Sequence, residues 1–188
     1  MKSLLIITIS AAILLLSCAY LPNQVVVPNQ VNASSPVLLF PRAGGDAAPM
    51  LVSLYGSAIK KIDIAIYSLT HPDIVKAITD AKKRGISVRV ITDKIQAAGN
   101  SQKHAINDLL LTGVPVKINT HSGLMHLKMS IVDSSAVTLG SYNYSMAASN
   151  TNDEVMIIIN DPQIILSCQN EFDRLWASPK FKDAESSY

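Results

Sequence analysis

The sequence predicts an α/β domain: a mixed β-sheet flanked by helices on both faces. Three observations carry that reading. Between residues 37 and 118, runs rich in β-branched residues alternate with helical periodicity, the pattern of a sheet with crossover helices. From residue 126 to 141 two apolar runs are parted only by Asp133, Ser134 and Ser135, which calls for a hairpin and so for antiparallel pairing. A chain of 188 residues, 48% of them hydrophobic, can bury one core and is too short for two ordinary domains.

In chain order, residues 1–18 place one lysine before an apolar run and then small residues, the form of a secretory signal. The run is shorter than the roughly 20 residues a membrane-spanning helix needs. Leu15-Leu16-Ser17-Cys18 resembles a lipoprotein box, so the expectation is export to the periplasm or beyond. Processing is then either simple cleavage near Ala19 or tethering through a lipidated Cys18. Residues 19–35, with two PNQV-like pieces, read as a flexible linker. Residues 36–178 form the domain, and 179–188 read as a polar, frayed tail.

Inside the domain, residues 37–40 read as a strand, and a helix follows Pro49 with Lys60 and Lys61 closing its last turn. Residues 62–67 are a strand, 73–84 a helix ended by Gly85, and 87–92 a strand. Residues 93–102 are polar and read as a loop before a helix at 103–111 and a strand at 114–118. The hairpin strands, 126–132 and 136–141, come next. A short helix near 146–148, a strand at 154–159 and a helix opened by Asp161-Pro162 complete the domain. Cys168 falls on that helix among apolar residues and reads as a packed small side chain.

The segment 126–154 carries the chemistry. Strand alternation puts His126, Lys128 and Ser130 on one face, an unusual load for a sheet that needs only packing. A turn at 133–135 sets Lys128 opposite Gly140 and His126 opposite Tyr142, which gathers His126, Lys128, Ser141 and Asn143 at one end of the ladder. Gly140 then leaves room beside the lysine for a bound group to approach the backbone. An imidazole beside an ammonium, a hydroxyl and an amide suits a phosphoryl group: Lys128 and Asn143 hold non-bridging oxygens, and the histidine attacks phosphorus or moves a proton. Glu154 is placed to orient an imidazole. Asp133 lies seven residues from His126, roughly 23 Å along a straight strand at about 3.3 Å per residue, too far for proton transfer there. The net charge of +2 argues for local phosphate recognition over an extended nucleic-acid groove.

Other residues read as scaffold or rim. His121 sits in a loop as a candidate for the entrance, His71 at a strand end near a rim or in solvent, and His104 on the surface. Lys82, Lys83 and Arg84 suit a helix end, and Tyr142 and Tyr144 alternate with the site residues and so face the core. The four histidines have no compact ligand spacing, so no metal and no cofactor is expected.

H-x-K-x-x-x-x-D at His126, Lys128 and Asp133, with G-S-x-N at Gly140, Ser141 and Asn143 and N-x-E at Asn152 and Glu154, resembles the phospholipase D superfamily. YSLT at 67–70 and AKKRGISVRVITD at 81–93 extend the likeness, which is strongest to the small exported bacterial endonucleases of that superfamily. The resemblance implies a phospholipase D/nuclease-like fold and a phosphohistidine intermediate. By it His126 is nucleophile in one copy and general acid in the other, Lys128 and Asn143 bind phosphate with Ser141 as a lesser ligand, Glu154 orients a histidine, and Asp133 is counted in the catalytic set. One motif per chain implies a homodimer with a composite site. The leading expectation is therefore a metal-independent, non-specific endonuclease acting on DNA and RNA. The alternatives are a lipid phosphodiesterase acting on phosphatidylcholine or cardiolipin, and an inactive nucleic-acid-binding module.

Overall fold

The computed structural model describes residues 35–185; the signal expected at 1–18, Cys18, and the linker up to residue 34 lie outside them. Along the chain come β1 (Val37–Leu39), a 3-10 turn (Pro41–Ala43), α1 (Ala47–Gly56), β2 (Lys61–Ile66), α2 (Pro72–Lys83), β3 (Ser87–Thr92), α3 (Lys94–Ala98), α4 (Asn100–Leu111) and β4 (Val116–Asn119). Then follow β5 (Lys128–Val132), β6 (Ala136–Gly140), α5 (Met146–Asn150), β7 (Met156–Ile159), α6 (Pro162–Ala177) and β8 (Phe181–Asp183). The strands make one sheet in the order β1-β7-β6-β5-β2-β3-β4-β8. β2, β3 and β4 run parallel, as crossover helices require, and every other pairing is antiparallel.

Helices cover both faces, as the sequence predicts. Ile62, Ile64 and Ile66 point from β2 to one face, where they meet Leu51 and Tyr55 of α1, Ile74 and Ile78 of α2, and Leu109 of α4. The intervening Ala65 joins Ile91, Met129, Ile131 and Val137 on the other face, under Ile165, Phe172 and Leu175 of α6. α6 is also held by charge: Asp63, buried in β2, takes a two-pronged hydrogen bond from Arg89 (2.7 and 2.8 Å), and the same guanidinium reaches Asp173. Cys168 is half-buried on this helix, where burial pushes its thiol pKa up. Among the described residues, no helix is long and apolar enough to cross a membrane.

The hairpin has the predicted register, with Ser130 opposite Thr138 and Val132 opposite Ala136. Three other stretches differ from expectation. α1 stops at Gly56, and Lys61 opens β2, because Asp133 captures the backbone of residues 59–61 for the sheet. Residues 93–102 hold α3 and the start of α4: Asp93 caps α3 through the Ile95 N–H, and the first buried position of α4 is taken by Gln102. That amide accepts from the Leu69 N–H and donates to Thr92 Oγ1, both at 2.7 Å, so a polar residue is buried without the apolar stripe that marks a helix in sequence. The stretch read as a frayed tail contains β8, anchored by buried Phe181 and paired antiparallel with β4.

Candidate active site

The parallel strands β2 and β3 end where β5 begins and β6 stops, so their loops converge at one end of the sheet. His126 lies two residues before β5 and is exposed, while Lys128, its first residue, is only 8% exposed. Lys128 Nζ donates to the His126 carbonyl oxygen at 2.9 Å and stands 3.1 Å from His126 Nδ1. Burial pulls the Lys128 ammonium below the ordinary lysine range, against the opposing pull of the Glu154 carboxylate. Tyr67, just past β2, supports both groups: its ring centroid is 4.5 Å from that of His126 and 5.0 Å from Lys128 Nζ. The apolar run before Tyr67 and its place in YSLT were the available signals; spacing within 126–154 could not reveal it.

Ser141 joins the end of β6 to the start of β7. Its N–H donates to the Val155 carbonyl (3.0 Å), its Oγ accepts from the Val155 N–H (3.2 Å), and the hydroxyl donates to Glu154 (2.5 Å). Glu154 also accepts from Asn152 at 3.1 Å. The carboxylate is thus fixed by Ser141 and Asn152 of its own chain. Gly140 also meets a constraint from elsewhere in the chain: at φ +150°, a Cβ there would lie 2.1 Å from the oxygen of Val155, the residue before β7, so the missing side chain admits that backbone. Asn143 is held between Tyr142 and Tyr144, both buried as expected, and its Oδ1 is buried without a protein partner. Tyr144 belongs to a buried hydroxyl chain with Ser130 (2.5 Å) and, through Ser130, Tyr55 (2.6 Å).

His126, Lys128, Gly140, Ser141, Asn143 and Glu154 line one open cavity of about 420 Å³. The imidazole, ammonium and amide expected from sequence therefore meet in a space that fits a phosphoryl group. Asp133 does not join them. It sits at the far end of β5, in the left-handed region at φ 52°, and its carboxylate accepts from the backbone N–H groups of Ile59, Lys60 and Lys61 at 2.8 to 2.9 Å. The grouping of Asp133 with the catalytic residues is corrected accordingly: strand length separates them.

The other histidines stay outside the cavity. His121 packs edge-on against Phe181 at 5.6 Å, and its carbonyl takes the Lys94 ammonium at 2.5 Å. His71, expected at a rim or in solvent, is 5% exposed at the start of α2, with its Nδ1 unpartnered and its N–H on the Tyr144 carbonyl. Asp93, unremarked in sequence, accepts from the Met125 N–H at 2.8 Å and so pins the residue before His126; its place ahead of K-I-Q was a capping signal. Among the described residues, no group of three or more His, Cys, Asp or Glu is placed to hold a metal ion.

A family model described as the PLD-like domain of cardiolipin synthase matches residues 51–176. The chain belongs to the phospholipase D superfamily. This PLD-like chain is 36% identical over 127 residues to the mitochondrial cardiolipin hydrolase of Xenopus tropicalis, covering 67% of this chain and 59% of that protein. It is 30% identical over 125 residues to a phospholipase D of Rickettsia typhi, covering 66% and 60% respectively. It superposes on Nuc, a phospholipase D family member from Salmonella typhimurium, with a TM-score of 0.75 and 31% identity over 81% of this chain and 99% of that one. The PLD-like chain spans little more than half the length of the curated relatives it matches. The relatives also correct one expectation. Export to the periplasm or beyond, with tethering through Cys18, conflicts with the mitochondrial designation of the cardiolipin hydrolases matched and is withdrawn.

Proposed function

We propose that the protein is a phosphodiester hydrolase acting on a phospholipid, through a phosphohistidine formed on His126. The observation that carries this reading is the convergence of His126 and Lys128 with Ser141, Asn143 and Glu154 on one cavity. In the first step a His126 ring nitrogen attacks phosphorus and the bond to the leaving alcohol breaks, with a proton given to the departing oxygen by a second histidine. In the second step water, deprotonated by that second histidine, attacks phosphorus; the P–N bond breaks and His126 is restored. Lys128 and Asn143 hold the non-bridging oxygens and stabilise the charge that develops on them. No metal or cofactor enters the steps.

The second histidine is supplied by a second copy, since the chain carries one H-x-K. Glu154, on the same cavity, is the carboxylate we assign to hold a histidine ring nitrogen.

Phospholipid is favoured over nucleic acid because the loop entering the site exposes Leu124 (46%) and Leu127 (37%) beside His126. Apolar side chains at the mouth suit a substrate whose phosphate lies at the edge of a lipid phase, and the names of the matched relatives agree. Hydrolysis of DNA or RNA is the second reading, supported by the open cavity, which leaves an extended strand free to pass. Cardiolipin and phosphatidylcholine vesicles, plasmid, single-stranded DNA and RNA, each in excess EDTA with wild type and His126→Asn, separate the readings. We expect lipid hydrolysis that survives EDTA and is lost in the variant. Cleavage of nucleic acid alone transfers the function to the second reading, and retained activity in His126→Asn removes the histidine from its role.

A further inference from the structure

Beside the catalytic cavity lies a second one, of about 600 Å³, and the two share Ser141 and Glu154 as a common wall. Its distinctive residues are Phe40, Arg42 and Asp153. Phe40 and Arg42 stand on the 3-10 turn after β1, which is closed by bonds from the Ala43 and Gly45 N–H groups to the Phe40 carbonyl (2.9 and 3.0 Å). The turn is tight enough that a Cβ on Gly45 would lie 2.6 Å from the Phe40 nitrogen. Arg42 is thus presented on a fixed backbone.

The Arg42 guanidinium meets Asp153 through Nη1 alone, at 3.1 Å, and the two side chains are 59% and 86% exposed. An exposed, single-pronged pair of this kind holds weakly, whereas a guanidinium binds a phosphate with two parallel bonds. Asp153 is therefore easily displaced to solvent, and its carboxylate marks where an anion sits on Arg42. Glu154, the other carboxylate of this wall, is bonded to Ser141 and Asn152. Half-exposed Phe40 gives the cavity an apolar side suited to the first carbons of an acyl chain.

We infer that this cavity is a second-phosphate subsite, in which Arg42 takes the uncleaved phosphodiester of a phospholipid carrying two while the other is hydrolysed at His126. The inference rests on the phospholipid reading above and adds to it a preference for lipids with two phosphodiesters.

The test compares cardiolipin with phosphatidylglycerol, which shares the glycerol linker but has one phosphodiester, in detergent micelles of matched net charge. Wild type, Arg42→Ala, Arg42→Lys and Asp153→Ala are assayed, with folding followed by thermal melting. Wild type should favour cardiolipin in kcat/KM. Arg42→Ala should cut that preference about tenfold or more, chiefly through KM, as loss of a charge-assisted bond requires. Arg42→Lys should restore part of it, because a point charge replaces a fork, and Asp153→Ala should raise it. Equal loss on both lipids, or an unchanged ratio in Arg42→Ala, overturns the subsite while leaving phospholipid hydrolysis standing. Cleavage of neither lipid by wild type, with nucleic acid cut instead, overturns both readings together.

Discussion

Lys128 turns back along its own strand so that Nζ lies 2.9 Å from the carbonyl oxygen of His126 and 3.1 Å from its Nδ1. One ammonium thus fixes both the backbone and the ring of the proposed nucleophile. Lys128→Ala should lower turnover roughly 10²-fold, the scale of a lost transition-state donor. Burial holds the Lys128 pKa below its ordinary value, so the wild-type rate should fall on the alkaline side before the roughly 10.4 of a free lysine. Lys128→Arg, whose charge persists, should move that limb upward. A limb in the same place in both proteins would assign it to another group.

Asp133 should prove a folding residue. Burial acts to raise its pKa, but the Ile59, Lys61 and Lys60 N–H donors outweigh that pull and hold the carboxyl below the usual aspartate range. Its stabilising charge is therefore fully present above about pH 3.9 and is lost as pH falls through the lower folded-state pKa. Asp133→Ala should cost about 2–3 kcal/mol at neutral pH, from hydrogen bonds to a charged group. Urea unfolding at pH 7 measures it; a stable variant with a purely kinetic defect would contradict the assignment.

Much of this end of the molecule is legible in sequence because it depends on local rules. Turn length set the hairpin register, and strand alternation put Lys128 and Ser130 together. What escaped depends on long-range partners. Gln102 is buried by bonds to Leu69, past the end of β2, and to Thr92 of β3, partners that no helical stripe encodes. Phe181 is the single apolar anchor of a three-residue strand, and Tyr67 meets His126 across 59 residues of chain. The close approach of the Val155 carbonyl to Gly140 escaped for the same reason, since it is set by a segment distant in sequence.

Asp93 offers a test of positioning. Its carboxylate holds the N–H groups of Ile95 and Met125, and Asp93→Ala orphans both, the buried Met125 N–H at about 1–3 kcal/mol. Because Met125 precedes His126, kcat should fall with KM little changed in the fraction that remains folded. Asp93→Asn, which keeps one acceptor oxygen, should recover part of the rate. Equal kcat in folded Asp93→Ala would show that the loop holds His126 unaided.

His71 predicts a second pH effect. Burial lowers its pKa, against the upward pull of Asp73. The unfolded chain therefore binds more protons in the window just below about pH 6.5, and stability falls as pH drops through it until the folded form protonates as well. Urea midpoints between pH 7.5 and 5 should decline more steeply for wild type than for His71→Gln; parallel slopes would trace the decline to another group.

Both outer strands of the sheet, β1 and β8, are only three residues long. A border that short gives an incoming strand few unpaired backbone groups to grip. Lateral growth of the sheet from chain to chain is therefore starved of a template, and open-ended fibres have no easy starting point. Contacts made end-on or through a helical layer meet no such limit, and they can close upon themselves after two subunits.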